Sequence, residues 1–113
     1  MIISRTPFRI SFFGGGTDFP KWYEKYGGAV LSTSIDKYCY IHCRKLPQFF
    51  EYKNRVVWSK IETTNTIEEI SHPVVREVMK WIGLNEFLIH HDGDLPSRCG
   101  LGTSSSFTVG LLN

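Results

Sequence analysis

Short runs of β-branched and aromatic residues mark the first half of the chain as strand-forming. Ile2–Ser4 and Phe8–Phe13 read as two strands, followed by Ala29–Ile35 and Lys37–Lys45 as two more. Between them, Gly14-Gly15-Gly16 interrupts any regular element. Asp18 as N-cap, Pro20 in the first turn and Gly27-Gly28 beyond the end then predict a short helix. Glu51–Trp58 reads as a hairpin turning at Lys53-Asn54, and the polar, Thr/Glu-rich Ile61–Ile70 as a loop. The pattern changes period after that. Val75, Val78, Met79 and Ile82 fall at i, i+3, i+4 and i+7, so Pro73–Ile82 is an amphipathic helix that Gly83 can cap. Glu86–His90 reads as a strand, Asp92–Gly102 as a loop and Thr103–Leu112 as a helix. A β-rich first part and a helical later part predict an α+β fold.

Composition narrows the class. The chain has 113 residues, enough for one small domain with a modest core, taken as residues 1–113. Net charge is +2, and Lys21, Lys25, Lys37, Arg44 and Lys45 are dispersed among aromatics and acids, which argues against nucleic acid as a partner. No stretch is apolar for long enough to span a bilayer, and the amino terminus lacks a signal-like apolar segment, so a cytoplasmic protein with no membrane partner is expected. Three cysteines do not suit a disulfide framework. Cys39 and Cys43 would share one strand face with His42 on the other, a poor arrangement for zinc. The last helix carries apolar Phe107, Val109, Leu111 and Leu112 and ends without a stop signal, so the chain is expected to be truncated or this helix covered.

Chemistry concentrates in Pro96–Ser105. Gly100 and Gly102 flank Leu101 and allow a tight curl that presents backbone N–H groups, while Thr103, Ser104 and Ser105 open a helix whose N-terminus favours anions. These hydroxyls suit phosphate oxygens, and one of them suits Mg²⁺. A glycine turn capping an ordinary helix accounts for the same residues. The familiar phosphate loop with Lys after its last Gly is absent, as are the dinucleotide fingerprint and the hydrolase elbow.

Elsewhere, Asp18 either accepts hydrogen bonds from two hydroxyls of a bound ligand or caps the next helix. Arg9 lies in an apolar strand and requires an anion, either a carboxylate or a transferring phosphoryl group. Trp58 either stacks on a base or fills the core. His90-His91 reads as a strand end, and Asp92 and Asp94 as solvated turn formers.

Pro96-x-x-x-Gly100-Leu101-Gly102-Thr103-Ser104 resembles the central motif of the GHMP kinases, with Ser105 where Ala is more frequent. Pro7, Arg9, Gly14 and Asp18 match that superfamily's amino-terminal motif in register. Phe8 replaces its first Gly, and Gly15-Gly16 replace Glu-His. The variant Gly14-Gly15-Gly16-Thr17-Asp18, with Tyr26–Leu31 and Ile35–Tyr38, is similar to bacterial heptose-phosphate kinases. The resemblance implies the superfamily's amino-terminal ATP-binding domain, a mixed sheet with helices on one side, in the topology shared with some ribosomal proteins. It implies ATP and Mg²⁺ as cofactors and a sugar or sugar phosphate as substrate, with a heptose 7-phosphate favoured at its anomeric hydroxyl. Fucose-type kinases and a non-catalytic nucleotide- or RNA-binding domain are the alternatives. Arg9 would be catalytic and Gly15, Gly16, Thr17 and Asp18 would bind substrate. Gly100, Leu101, Gly102, Thr103, Ser104, Ser105 and Trp58 would bind ATP, with Ser104 nearest the metal. A homodimer is left open. The superfamily's general base and acidic Mg²⁺ ligand lie in later segments, so residues 1–113 alone are expected to be inactive.

Overall fold

In the computed structural model, which describes Met1–Asn113, the elements run β1 (Ile2–Ser11), α1 (Pro20–Tyr26), β2 (Ser32–Lys45), β3 (Asn54–Val57), β4 (Ile61–Thr64), α2 (Pro73–Ile82), β5 (Phe87–Gly93) and α3 (Thr103–Leu112). The strands form one sheet in the order β1-β2-β5-β3-β4. Every neighbour pair is antiparallel except β3 with β5, whose parallel pairing is made possible by the β4–α2 crossover. The α+β class and the mixed sheet are as expected.

The four strands expected in the first 45 residues are two long ones. β1 runs unbroken from Ile2 to Ser11, and its register with β2 slips between Pro7, opposite Tyr38, and Arg9, opposite Ser34. Asp36-Lys37 is therefore absorbed in a bulge of β2 and does not end it. Ala29, Val30 and Leu31 lie before the strand. The short helix is also capped differently. Phe19, without a side-chain hydrogen bond, occupies the N-cap of α1 in the extended conformation that Pro20 imposes on it, and Asp18 stands one residue earlier.

The hairpin is displaced as well. Asn54 is not in a turn; it opens β3 opposite Thr64, fully buried, and its Oδ1 accepts from the Glu86 N–H at 3.0 Å. The turn falls at Trp58–Lys60, where the Trp58 N–H donates to the Lys60 carbonyl at 2.9 Å. Ile61–Thr64, expected as loop, is consequently a strand, in keeping with the strand preference of Ile and Thr.

The two later helices fall where periodicity put them. In α2, Val75, Val78 and Met79 are buried and Gly83 closes the helix in the left-handed conformation, whereas Ile82 is 44% exposed at the rim. The core is Phe8, Cys39, Ile41, Val56, Ile70, Val75, Met79, Ile89 and Phe107, contributed by four strands, both later helices and the segment before α2. Full burial of each large apolar side chain is worth about 1.5–3 kcal/mol. α3 packs on β1 and β2, and α2 packs against α3, so both lie on one side of the sheet. Cys39 and Ile41 face them; Tyr38, Tyr40 and His42 face away, with the Arg5 guanidinium 4.4 Å from the Tyr38 ring centroid. No helix is long and apolar enough to cross a membrane.

Candidate functional site

The loop before α3 and strand β1 are built as one unit. Gly102 occupies the helix N-cap in the left-handed conformation, φ 73°, and supplies no side-chain cap. The first-turn N–H groups of Thr103, Ser104 and Ser105 lie ahead of any intrahelical acceptor. Gly100 (φ 76°) and Arg98 (φ 65°) are also left-handed, so the chain curls three times within five residues. β1 holds this curl by two bonds: the Arg9 N–H donates to the Leu101 carbonyl at 3.1 Å and the Ser106 hydroxyl to the Pro7 carbonyl at 3.0 Å. The Arg9 side chain lies against Gly102 so closely that an added Cβ would come within 3.1 Å of Arg9 Cγ.

Arg9 itself is exposed, and its guanidinium donates to Ser11 Oγ at 2.8 Å and meets no carboxylate. The buried charge expected from the apolar strand is not found, because the position falls beside the bulge at the open end of the sheet. The charge remains available to an anion.

A cleft of about 1040 Å³ opens from this point. Arg9, Gly100, Gly102, Thr103 and Ser104 line it. Trp58, His72, His91 and Phe107 line it too, and their rings touch one another. His72 meets Trp58 edge-on at 4.8 Å and Phe107 at 5.0 Å, and His91 meets Phe107 edge-on at 4.9 Å. Trp58 is fixed by a 2.7 Å bond from its Nε1 to Glu62 Oε1. Burial lowers the His72 pKa, partly offset by the Glu62 charge. Burial also lowers His91, and the neighbouring charges of His72 and His90 add to this against the opposing pull of Asp92. For Glu62, burial favours the protonated form, but hydrogen bonds from Ser71 and Trp58 and the charge of His72 outweigh it and hold the carboxyl below its usual value. Both imidazoles are thus biased towards neutrality and Glu62 towards its anion.

Among the residues singled out from sequence, Arg9, Trp58, Gly100, Gly102, Thr103 and Ser104 share this cleft. Leu101 is half-buried against the core, and Ser105 is exposed outside the cleft. Gly15, Gly16, Thr17 and Asp18 also lie outside it. Thr17 ties its loop to Ala29 by two bonds, of 3.0 and 3.1 Å, and Gly15 has no room for a Cβ because the Asp18 carboxylate occupies that space.

Two readings of the acidic segment are corrected. Asp92 belongs to β5 and lines the cleft; Asp94 is no free turn former, since its Oδ2 accepts from the Tyr38 N–H at 2.8 Å. Sequence reasoning missed His72 and Glu62 and took His91 for a strand end. His72, directly before Pro73, carried a positional signal: it is the N-cap of α2, accepting from the Val75 N–H at 3.4 Å. Glu62 carried none.

Comparison with known proteins bears on this geometry. No protein-family model matches the chain. It is 29% identical over 125 aligned residues to the D-glycero-alpha-D-manno-heptose 7-phosphate kinase of Campylobacter jejuni subsp. jejuni, covering 98% of this chain and 36% of that protein. The chain therefore spans about a third of the length of this curated relative. Among solved structures, a D-glycero-D-manno-heptose 1-phosphate kinase from Bacteroides thetaiotaomicron superposes with TM-score 0.80 at 22% identity, over 99% of this chain and 40% of that one. The mevalonate kinase of Methanococcus jannaschii gives TM-score 0.65 at 21% identity, over 98% and 38%. The fold is that of the amino-terminal part of GHMP kinases, as the two motifs implied.

Proposed function

We propose that this chain, with the amino-terminal fold of the GHMP kinases, is the ATP-binding part of a kinase that phosphorylates a sugar or sugar phosphate. The observation that carries the proposal is the cleft itself. Its lining combines the Arg9 guanidinium and the start of α3 with the Trp58–His72–Phe107 aromatic contacts. A nucleoside triphosphate calls for both kinds of surface, one for a flat base and one for anionic oxygens.

Thr103 and Ser104 would receive the β- and γ-phosphates on backbone N–H groups, where the helix dipole favours negative charge. Arg9, free of any carboxylate, would stabilise charge on the transferring phosphoryl group. Trp58 would stack on the base. The cleft offers hydroxyls and one carboxylate, and no cluster of three or more His, Cys, Asp or Glu side chains exists in the chain. That donor set fits Mg²⁺, which is commonly held by few protein oxygens plus substrate phosphates. The Ser104 hydroxyl would hold it, and the bound ion would neutralise phosphate charge. The Gly14–Asp18 loop, outside the cleft, would receive the acceptor. Among acceptors we favour a heptose 7-phosphate, on the likeness of Gly14–Asp18 and on the curated relative's name.

The full-length protein tests this directly. With Mg-ATP, it is expected to phosphorylate a heptose 7-phosphate in preference to fucose or galactose, and Mg-ATP is expected to slow amide exchange at Gly100–Ser105. Turnover of fucose or galactose alone would replace the acceptor. Absence of both turnover and protection would leave a domain that does not handle nucleotides.

A further inference from the structure

We propose that Glu62 is the positioning residue of the base-binding wall: its carboxylate sets the affinity for the nucleotide base without contacting the nucleotide. The inference rests on the nucleotide reading of the cleft.

Glu62 uses its two oxygens separately. Oε1 accepts from the Trp58 indole N–H and Oε2 from the Ser71 backbone N–H, both at 2.7 Å. Hydrogen bonds of this length to an ionised acceptor are among the stronger ones in proteins. Trp58 sits in the β3–β4 turn, and Ser71 immediately precedes His72, the N-cap of α2. One carboxylate therefore joins two pieces of chain that are otherwise separate supports of the wall. It orients the indole about its long axis and fixes the entry to α2, and the consequence is the edge-on contact of His72 with Trp58 at 4.8 Å. Glu62 itself does not line the cleft. Whatever it contributes to binding must pass through Trp58 and His72, neither of which belongs to the Arg9–Gly102 contact that would hold phosphate.

This placement separates Glu62 from a residue that only stabilises the fold. Loss of the clamp should weaken binding of a ligand that carries a base and leave binding of a bare polyphosphate unchanged. Two probes measured by calorimetry on the full-length protein make the distinction: ADP, and inorganic tripolyphosphate. For Glu62→Ala, the ADP dissociation constant is expected to rise about tenfold, in line with the loss of a charge-assisted hydrogen bond, with tripolyphosphate unchanged within about twofold. Glu62→Gln keeps one acceptor oxygen but sets its amide NH2 against the other N–H donor, and is expected to recover only part of the loss. Should the alanine variant not fold, Glu62→Leu keeps the bulk, removes both acceptors and gives the same expectation. Equal weakening of both probes, or an unchanged ADP affinity, would overturn the assignment. Failure of the unsubstituted protein to bind ADP at all would overturn the nucleotide reading on which it rests, and that result is obtained before any variant is made.

Discussion

The Ser4 hydroxyl donates to the Gly110 carbonyl at 2.6 Å, a buried bond between residues 106 positions apart. Gly110 lies in the last turn of α3, where carbonyls have no intrahelical partner. Ser4 supplies that partner, and the lack of a Cβ on Gly110 makes the approach possible, since a methyl there would stand 2.8 Å from Thr6 Oγ1. Ser4→Ala is expected to lower the unfolding free energy by about 1–3 kcal/mol, the cost of an unsatisfied buried acceptor. Urea denaturation measures this, and a loss below about 0.5 kcal/mol would mean that water reaches the carbonyl.

Gly100 and Gly102 can be told apart. Both have positive φ, so alanine at either carries backbone strain of about 1 kcal/mol. Only at Gly102 does the new methyl meet Arg9, at 3.1 Å from Cγ and 3.2 Å from Nε; at Gly100 it meets nothing within 4 Å. On the proposed role of Arg9, Gly102→Ala is therefore expected to reduce the turnover of the full-length protein at least about tenfold more than Gly100→Ala, through displacement of the charge that would stabilise the transferring phosphoryl group. Equal turnover in the two variants would separate Arg9 from the chemistry.

Acid should loosen the aromatic wall before it affects the Glu62 clamp. His72 and His91 both have folded pKa values below the usual 6.5. Their neutral forms are favoured by the fold, so their contribution to stability is complete above pH 6.5 and is lost as pH falls through the lowered values. Glu62, held below its usual 4.5, loses its contribution only at more acidic pH. Melting temperature is expected to fall between pH 6.5 and 5, and less steeply in a His91→Gln variant. An unchanged slope in that variant would show that His91 is no more neutral in the fold than in the unfolded chain.

The three thiols provide a probe of the same region. Cys39 is buried and its pKa is pushed up to about 11, so almost no thiolate is present at pH 8. Cys99 is exposed in the curl before α3. A disulfide reagent is expected to modify Cys99 first and Cys39 last, and Mg-ATP to slow the Cys99 reaction. Labelling of Cys99 that is indifferent to nucleotide would argue against phosphate binding at this curl.

Local signals made part of this molecule legible in its sequence. The helix α2 has Pro73 and Gly83 at its ends and a strong apolar stripe between them. The glycine-rich curl and helix start, Gly100 to Ser104, are contiguous, so their pattern survives in one dimension. The hairpin was misplaced because Asn54, an ordinary turn former, is taken up by a bond to Glu86, 32 positions away. The aromatic wall of the cleft has the same difficulty. Trp58 stands out as an aromatic, but the roles of Glu62 and His72 exist only once β4 and α2 are brought side by side, and no spacing encodes that. The bulge at Asp36-Lys37 is similar, since its polar pair looks like a break until β1 is laid against it.

β1 precedes the other strands of this sheet along the chain, yet it is an edge strand that meets only β2, and its ties at Ser4 and Pro7 reach residues 106 and 99 positions later. Contacts of such separation are formed late, because the entropy of closing the chain must be met first. Until α3 has emerged from the ribosome, the β1 face that will carry Phe8 has no cover, and Arg9 has no curl to rest on. Nascent chains halted before residue 103 should therefore be protease-sensitive along β1. The Arg9 side of the cleft should come into existence in a single step, when β1 and α3 meet.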